Sequence, residues 1–268
     1  MKKQLIALGL GLALMTGPTQ GAQARSLPTL DVDGLTLPAV AQVENGTTYV
    51  SLRLLAQALD PTAQVAWEED RAVVRSESLE LIAIPGQQWI EANGRYLYVP
   101  GEVRLSQGRT LVPVRVLSDA FGADVEWDGI AGRISVSSGA GAPQASYDPD
   151  AVYWLSRIIS AESKGEILAG QIAVGNVVLN RVKHQDFPGT IYGVIFDDRW
   201  GGQFEPVRNG TIHQTPTESS VIAAKLCLEG ADVVGESLYF LNPDLATNFW
   251  IPQNRPFLTV IGAHHFYG

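Results

Sequence analysis

The sequence predicts an α+β protein in which a duplicated mixed α/β module is followed by a mainly helical second half. Three observations support this fold class. The segment 30–67 is repeated in the segment 90–127. Apolar residues recur at helical spacing in two long runs of the second half, 148–162 and 168–182. A small-residue stretch without periodicity, 138–146, separates the two regions.

The first residues have the features of a secretory signal segment. Two lysines precede an apolar run over residues 5–15, and the Ala-Gln-Ala sequence at 22–24 is a small-residue cleavage site. Because the apolar run is too short to span a bilayer comfortably, cleavage is favoured over the alternative of an uncleaved anchor. We expect residues 1–24 to be removed and the mature protein to be exported, without stable insertion in the membrane.

The composition indicates a globular protein with enough chain for two domains. Hydrophobic residues make up 46% of the 268 residues and charged residues 18%. The formal net charge of -9 argues against nucleic acid and anionic membranes as partners, so polysaccharide binding must rest on short-range contacts. The single cysteine, Cys227, cannot form an internal disulfide and sits in a helical apolar pattern, which predicts a buried, inert thiol.

The duplicated module is expected to occupy residues 25–137. In each unit a hairpin turning at Asp33-Gly34 or Asn93-Gly94 is followed by a strand, a short helix and a closing hairpin. We expect the two units to share one sheet and one core. Trp67 and Trp127 occupy equivalent positions in the closing hairpins, where core packing is favoured over the alternative of stacking on sugars.

We assign residues 138–147 to a linker and residues 148–268 to a second domain. The first helix of that domain has Asp148 as a candidate N-cap and Pro149 at the first helical position. Continuing its apolar spacing leads to Glu162, whereas three polar residues are expected to face outward. The apolar stripe is Val152, Leu155, Ile158 and Ile159, and the outward residues are Ser156, Arg157 and Ser160.

Glu162 is the leading candidate for catalysis. A carboxyl group on a buried stripe is desolvated, so its pKa should rise and it could hold a proton near neutral pH, as a general acid must. The alternative, a solvated glutamate at the end of an ordinary helix, is left open by periodicity alone. The next helix, 168–182, is apolar on most sides and should be central, with the turn at Gly165-Glu166 folding the first helix against it.

Other chemistries have less support in the sequence. His264 and His265 are adjacent, so on a strand they point to opposite faces and cannot both bind one metal ion without a bend. Cys227 has leucines on both sides instead of the positive, exposed setting of a nucleophile. We therefore expect no metal and no other cofactor. A two-carboxylate glycosidase would need a partner for the leading acid, and Glu166 and Glu205 are the candidates.

Several segments of the second half occur together in chain order. They are 155–166, 170–182, Phe187-Pro188, 203–210, 239–243, Trp250 and 261–266. With these segments the second half resembles the SleB-type cell-wall hydrolases, which are the spore cortex-lytic enzymes and their vegetative relatives. The resemblance implies a lysozyme-like catalytic domain that acts on the glycan strands of peptidoglycan, at the bond between N-acetylmuramic acid and N-acetylglucosamine. It also implies lytic transglycosylation, with Glu162 serving as both acid and base.

The same resemblance implies a set of substrate-binding positions. This chain has Glu205 where the family usually has Ser, which either adds a second acid to the cleft or is a solvated surface change. A muramidase that uses water and a wall-binding protein without activity are the alternatives to lytic transglycosylation. The substrate-binding positions are Gln203, Phe204, Tyr239, Asn242, Trp250 and His264, with Phe204 and Trp250 as stacking faces and His264 as a support.

The first half, 25–137, resembles the copper amine oxidase N-terminal-like domain found in exported bacterial proteins. That name is not a copper assignment, because the four histidines lie in the second half and both methionines fall in the signal segment. The expected role of this half is binding or spacing at the cell surface. We expect the protein to be secreted or associated with the cell wall, and the spore cortex or envelope is one such location. A role in sporulation or germination and the oligomeric state are left open.

Overall fold

The computed structural model describes residues 28–37, 42–199 and 203–268. The predicted signal segment and Trp200 lie outside the described residues. No described helix is both long and apolar enough to cross a membrane. The described residues form a strand-rich first half and a mainly helical second half, which confirms the predicted α+β class.

The first half alternates hairpins with two short helices. Ser51 caps the first of these helices, because its side chain accepts a hydrogen bond from the backbone of Leu54. The elements are β1 (Thr29–Val32), β2 (Leu35–Leu37), β3 (Gln42–Glu44), β4 (Thr47–Ser51), α1 (Leu52–Leu59), β5 (Gln64–Glu68), β6 (Arg71–Arg75), β7 (Glu80–Ala83), β8 (Trp89–Ala92), β9 (Arg95–Tyr98), β10 (Arg104–Ser106), β11 (Arg109–Pro113), α2 (Val114–Ala120), β12 (Asp124–Asp128) and β13 (Arg133–Ser137).

The two units of the module share one core but not one sheet. Buried residues from both units form a single cluster, as predicted. The expectation of one sheet is wrong, because the strands form three: β12-β13-β1-β2, β10-β11-β4-β3 and β5-β6-β7-β8-β9. Each unit lends its closing hairpin to the sheet that holds the opening hairpin of the other unit. Because of this exchange of hairpins, two of the three sheets contain strands from both units, and the units form a single domain.

The predicted hairpin turns have the required backbone. Asp33 and Gly34 have positive φ values of 49° and 82°, and Asn93 and Gly94 have values of 51° and 77°. Two successive residues with positive φ are the requirement of a type I′ turn, which Asn-Gly and Asp-Gly meet at little cost. The opening hairpins of both units are therefore specified locally by the sequence.

The two tryptophans of the module are only half covered. Trp67 is 49% exposed and Trp127 is 51% exposed. The prediction that both tryptophans are packed in the core is therefore wrong, because about half of each side chain contacts solvent. Trp67 lies opposite buried Ala72 in the strand register, and Trp127 lies opposite buried Ile134. Both tryptophans lie on strands at the edge of their sheets, and neither is among the buried residues of the module's core.

The second half is built from helices and closes with a small sheet. Its three strands pair antiparallel in the order β14-β16-β15. The elements are α3 (Pro149–Ser163), α4 (Leu168–Lys183), α5 (Ile191–Ile195), α6 (Glu205–Arg208), a 3₁₀ turn (Thr211–His213), α7 (Glu218–Leu228), β14 (Tyr239–Leu241), α8 (Trp250–Asn254), β15 (Phe257–Ile261) and β16 (His264–Tyr267).

Helix α3 is packed on two sides, against α4 and against α7. Asp148 caps it as predicted, accepting a hydrogen bond of 3.0 Å from the backbone of Asp150. The expectation that Ser156 and Ser160 face outward is wrong, since they are 2% and 7% exposed. Helix α7 covers the polar side of α3 that the periodicity assigned to solvent, and only the intermediate exposure of Arg157 is closer to the expectation.

The two halves touch through strand β9 and helix α7. Arg95 of β9 donates hydrogen bonds to Glu229 at the end of α7, with distances of 2.8 and 3.0 Å, and both side chains are largely buried. The ammonium of Lys225 lies 4.7 Å from the ring centre of Tyr96. Tyr147, in the segment predicted as a linker, accepts a hydrogen bond from the backbone of Tyr96 at 3.0 Å. The contact therefore combines an ion pair, ring packing and the connecting segment.

We predict that Arg95→Ala destabilises the whole protein. The substitution leaves the Glu229 carboxylate largely buried without its partner, which should cost about 2 kcal/mol. Urea unfolding followed by tryptophan fluorescence measures the change. Arg75→Ala is the matched control, because Arg75 pairs with Glu68 on the exposed surface and should change stability little. Equal destabilisation by the two substitutions would contradict the importance of the buried pair.

Candidate active site

Glu162 lies at the end of α3, one residue before its last position, and its side chain is partly buried. Burial raises its pKa from 4.5 to about 7. The negative charge of Glu205 raises the pKa further, and the positive charge of Arg181 opposes both effects. This environment differs from the solvated helix end that the sequence left open. Near neutral pH the group exchanges a proton readily in either direction.

The Glu162 side chain lines a cleft with a volume of about 380 Å³. The last turns of α3 form one wall of this cleft, and the segment from α6 to the start of α7 forms the other. Such a cleft, with convergent polar groups around a perturbed acid, is a common setting for a binding site. The residues lining it are Arg157, Ser160, Ala161, Glu162, Lys164, Glu205, Pro206, Asn209, Thr211, Gln214, Thr215 and Thr217.

Hydrogen bonds fix the rim of this cleft. Thr217 is the N-cap of α7, and its backbone N–H donates to the Ser160 hydroxyl across the cleft at 3.2 Å. On the opposite rim Asn209 accepts bonds of 3.0 and 2.7 Å from the backbone and hydroxyl of Thr211. These bonds join α3 to the start of α7 and hold the loop beside Glu162 in one conformation.

A second cavity, of about 350 Å³, lies where the two halves meet. It includes Arg95, Tyr147 and Glu229, and its charged groups are already paired with each other. The cleft beside Glu162 is therefore the stronger candidate for chemistry.

Arg181 is the residue that sequence reasoning missed. It is 5% exposed on the otherwise apolar helix α4, and burial lowers its pKa to about 10. Its Nε donates to the Leu238 carbonyl at 2.7 Å, while Nη1 has no hydrogen-bond partner among the described residues. Three rings lie 5.0–5.4 Å from the guanidinium carbon, those of Phe187, Phe204 and Tyr239. A cation within the mainly apolar pattern of a helix predicted to be central was the signal that could have identified it.

The predicted binding residues near α6 are placed differently from the expectation. Phe204 is 3% exposed and belongs to the helical core, so its ring has no free face on which a sugar could stack. It serves instead as one wall around the Arg181 guanidinium. Gln203, at the edge of the described residues, is partly buried. Neither residue lines the cleft beside Glu162.

Tyr239 and Trp250 share one cation. The guanidinium carbon of Arg255 lies 4.6 Å from the ring centre of Tyr239 and 5.5 Å from that of Trp250. Trp250 is 49% exposed and offers a free face, whereas Tyr239 is partly buried. The Asn242 side chain is engaged locally, because it accepts a 3.0 Å bond from the backbone of Asp244. These residues form a second cluster, apart from the lining of the cleft.

His264 is buried on β16 and faces Glu166. The His264 Nδ1 lies 3.8 Å from a Glu166 carboxylate oxygen, and burial lowers the histidine pKa although Glu166 opposes that effect. The other Glu166 oxygen accepts a 3.2 Å bond from the backbone of Ala263. A Cβ at Gly262, which has a φ of 59°, would lie within van der Waals overlap of that oxygen. Glu166 therefore holds the β15–β16 turn and is not positioned beside Glu162.

Cys227 is buried, as predicted. Burial raises the thiol pKa, and the sulfur donates to the Ile172 carbonyl at 3.4 Å. Raising the pKa removes the thiolate form that nucleophilic or metal chemistry needs. Within the described ranges no group of three or more His, Cys, Asp or Glu side chains could hold a metal ion.

We predict that Glu162→Gln stabilises the fold in a pH-dependent way. Between pH 4.5 and about 7 the unfolded state releases the Glu162 proton while the folded state keeps it, so wild-type stability falls as pH rises. Glutamine carries no such proton. The gain from the substitution should grow across this interval to about 3 kcal/mol and then level off. Thermal unfolding at pH 4.5, 6 and 8 measures it, and exposed Glu236→Gln is the control. A gain that does not grow with pH would contradict the raised pKa.

Comparison with known proteins gives matches for both halves. The Cell Wall Hydrolase family matches residues 165–267, and the Copper amine oxidase N-terminal domain family matches residues 31–136. Glu162 lies just before the start of the first match. The two matched ranges fall on either side of the segment that was predicted to be a linker.

Curated relatives are similar to the second half. A spore cortex-lytic enzyme of Bacillus cereus is 40% identical over 120 residues, which are 45% of this chain and 45% of that protein. Cell wall hydrolase CwlJ of Bacillus subtilis is 30% identical over 121 residues, which are 42% of this chain and 81% of that protein. This chain therefore spans less than half the length of the cortex-lytic relative and most of the length of CwlJ.

One solved structure is the catalytic domain of the germination-specific lytic transglycosylase SleB from Bacillus anthracis. It is 38% identical to this chain, covers 47% of it and is itself covered completely, with a TM-score of 0.42.

Proposed function

Because this chain belongs to the cell wall hydrolase family, we propose that it cleaves the glycosidic bond between N-acetylmuramic acid and N-acetylglucosamine in peptidoglycan. Glu162 would be its acid and base. The observation that carries the proposal is the pKa of Glu162, about 7, at the side of a polar cleft. A carboxyl group with this pKa is protonated often enough to act as an acid at neutral pH, and its carboxylate can then act as a base.

The proposed reaction is lytic transglycosylation. Glu162 donates its proton to the glycosidic oxygen, and the bond from that oxygen to C1 of the muramic acid breaks. The resulting Glu162 carboxylate takes the proton of the 6-hydroxyl of the same sugar, and that oxygen bonds to C1 to close an anhydro ring. The proton that leaves Glu162 is thus replaced, and no water is consumed. One acid is sufficient because it acts in both steps.

Arg181 would balance the two states of Glu162. Its cation favours the carboxylate, whereas burial and Glu205 favour the protonated acid. If either influence dominated, one of the two proton transfers would become unfavourable. A pKa near 7 reflects a compromise between these opposing influences and matches the two roles.

The substrate would contact more of the surface than the cleft alone. The exposed face of Trp250 is suited to stack on a sugar ring, and Tyr239 beside it carries a hydroxyl for hydrogen bonding. Gln203 and Asn242 would supply amide groups. His264 would act as a support through Glu166. Phe204 would act through its packing around Arg181 and not by stacking.

Export to the cell wall forms part of the proposal. The signal features of residues 1–24 and the substrate proposed here both support a location outside the membrane. Named relatives include spore cortex-lytic enzymes. We propose the wall as the site of action, with the spore cortex as one form of it.

A muramidase that uses water is the second candidate. Glu205 favours it, because this second carboxylate lines the same cleft as Glu162. A glycosidase of the two-carboxylate type needs a base or nucleophile in addition to its acid. Glu205 is exposed and is paired with Arg208 at the start of α6.

We predict that Glu162→Gln abolishes cleavage of peptidoglycan, because glutamine has no proton to donate. Purified sacculi are digested with each protein, and soluble fragments are analysed by mass spectrometry. The wild-type products should carry anhydro-muramic ends. Reducing ends would instead support the muramidase, and absence of products from the wild type would leave only a wall-binding protein. Retention of most activity by Glu162→Gln, with its fold checked by circular dichroism, would exclude Glu162 as the acid.

We predict that Glu205→Gln lowers the pKa of Glu162, since a neighbouring negative charge is removed. The alkaline limb of the pH profile of kcat/KM should move to lower pH, while activity near pH 5 persists. Glu236→Gln, on the exposed surface, is the control and should leave the profile unchanged. If Glu205 is the base of a muramidase, its loss should abolish activity at every pH. The two candidate functions therefore give different outcomes.

A further inference from the structure

Two positively charged side chains line the cleft on the wall formed by α3. Arg157 and Lys164 are seven residues apart, which is about two helical turns, so both lie on the side of α3 that faces the cleft. Neither makes an ion pair with a carboxylate of the described residues. The whole chain has 28 acidic and only 19 basic residues. The α3 wall, where Glu162 is the one acid among the lining residues, therefore differs in charge from the chain as a whole.

The Arg157 side chain is held by the preceding turn of its own helix. Its guanidinium carbon lies 3.6 Å from the ring centre of Tyr153, and its Nη1 donates a 3.3 Å hydrogen bond to the Tyr153 carbonyl. Neither contact supplies a negative charge. The donors on Nη2 and on the buried Nε have no hydrogen-bond partner among the described residues. Arg157 therefore combines a fixed position with an uncompensated charge, which reduces the loss of side-chain freedom when it binds a ligand.

The two carboxyl groups of the cleft do not compensate Arg157. Glu205, on the opposite wall, is paired with Arg208. Burial, together with the charge of Glu205, raises the pKa of Glu162 to about 7, so this group is largely protonated in mildly acidic solution. The α3 wall is therefore positive when Glu162 is ready to act as an acid, and it is suited to an anionic group of a ligand.

We propose that Arg157 is a specificity residue that binds a carboxylate on the side branch of muramic acid, with Lys164 adding positive charge at the other end of the α3 wall. The planar guanidinium offers paired N–H donors that match the two oxygens of a carboxylate, whereas a neutral sugar hydroxyl gains much less from this charge. The assignment of this ligand to peptidoglycan rests on the proposed function.

The two sugars of the proposed substrate differ in this group. Both carry an acetamido group, but only muramic acid carries a lactyl ether, which ends in a carboxylate or continues into a stem peptide with carboxylates of its own. N-acetylglucosamine has no charged group. Binding of the acidic branch at Arg157 would place muramic acid, and not glucosamine, beside Glu162, five residues further along α3. Arg157 would thereby determine which of the two alternating glycosidic bonds is broken.

The test is calorimetric titration of the full chain carrying Glu162→Gln, a parent that separates binding from cleavage. The probes are three soluble glycan strands of one length: peptide-free with free lactyl carboxylates, peptide-free with those carboxylates converted to methylamides, and with stem peptides attached. The parent should bind at least one of the two acidic strands about tenfold more tightly than the methylamide strand. The preferred strand identifies the carboxylate as lactyl or peptide. Arg157→Gln should remove the preference, and Lys164→Gln should reduce it less, because an ammonium cannot form a bidentate pair.

Matched variants separate this role from a general effect of charge or folding. Arg115→Gln makes the same change of charge at an exposed position of α2, outside the cleft, and should leave the preference intact. Arg157→Lys keeps the charge and should retain part of the preference. Tyr153→Leu removes the exposed ring that holds the guanidinium and should also lower the preference, which provides the test if Arg157→Gln is unstable. Thermal unfolding verifies the folding of every variant.

Three results would overturn the proposal. They are a parent without preference for either acidic strand, an Arg157→Gln variant that keeps the preference or binds all three strands equally more weakly than the parent at an unchanged ratio, and an Arg115→Gln variant with the same loss. A parent that shows the preference while the wild type releases no fragments would count against the proposed reaction only. Cleavage by the wild type, combined with a parent that shows no preference, would count against the role of Arg157 only.

Discussion

The enclosure of α3 between α4 and α7 is the constraint on which the rest of the second half depends. Glu162 sits near the C-terminal end of this helix, where α3 forms one wall of the polar cleft. Ser160, two residues earlier in α3, is buried, and its hydroxyl accepts a hydrogen bond from the backbone N–H of Thr217 at the start of α7. The same packing that builds the core therefore sets how much water reaches the Glu162 carboxyl. Its raised pKa is mainly a consequence of this burial, and the negative charge of Glu205 adds to it.

Arg181 is buried together with Glu162, so both side chains lose solvation of their charged forms. Charged groups of opposite sign are both poorly solvated, and burial pushes the pKa of each toward its neutral form. Their mutual attraction opposes this effect, so each limits the shift of the other. The three rings around Arg181 keep water away from it but also contact its cation favourably. Phe204 thus contributes to the site through Arg181, although it was expected to contact a sugar.

The sequence predicted what local chemistry decides. The cap at Asp148, the second helix from Leu168, and the paired Asp-Gly and Asn-Gly turns all follow from neighbouring residues, and the structure confirms them. It failed where distant segments meet. The burial of Ser156 and Ser160 depends on α7, and the three sheets depend on exchange of hairpins between units. Arg181 was overlooked because its partners come from β14 and from loops far along the chain. Hydrophobic periodicity records which side of a helix is apolar, but it does not record how many neighbours cover that helix.

The contact between β9 and α7 fixes the module against the second half. Trp89, Tyr96 and Tyr98 belong to strands of the module, yet they pack against the helical core of the second half. The buried Arg95–Glu229 pair adds direction to that contact, since apolar packing alone specifies orientation poorly. The module therefore differs from a domain on a flexible tether. Because α7 begins at Thr217 beside the cleft and packs against β9, the module supports the same helix whose start lines the candidate site.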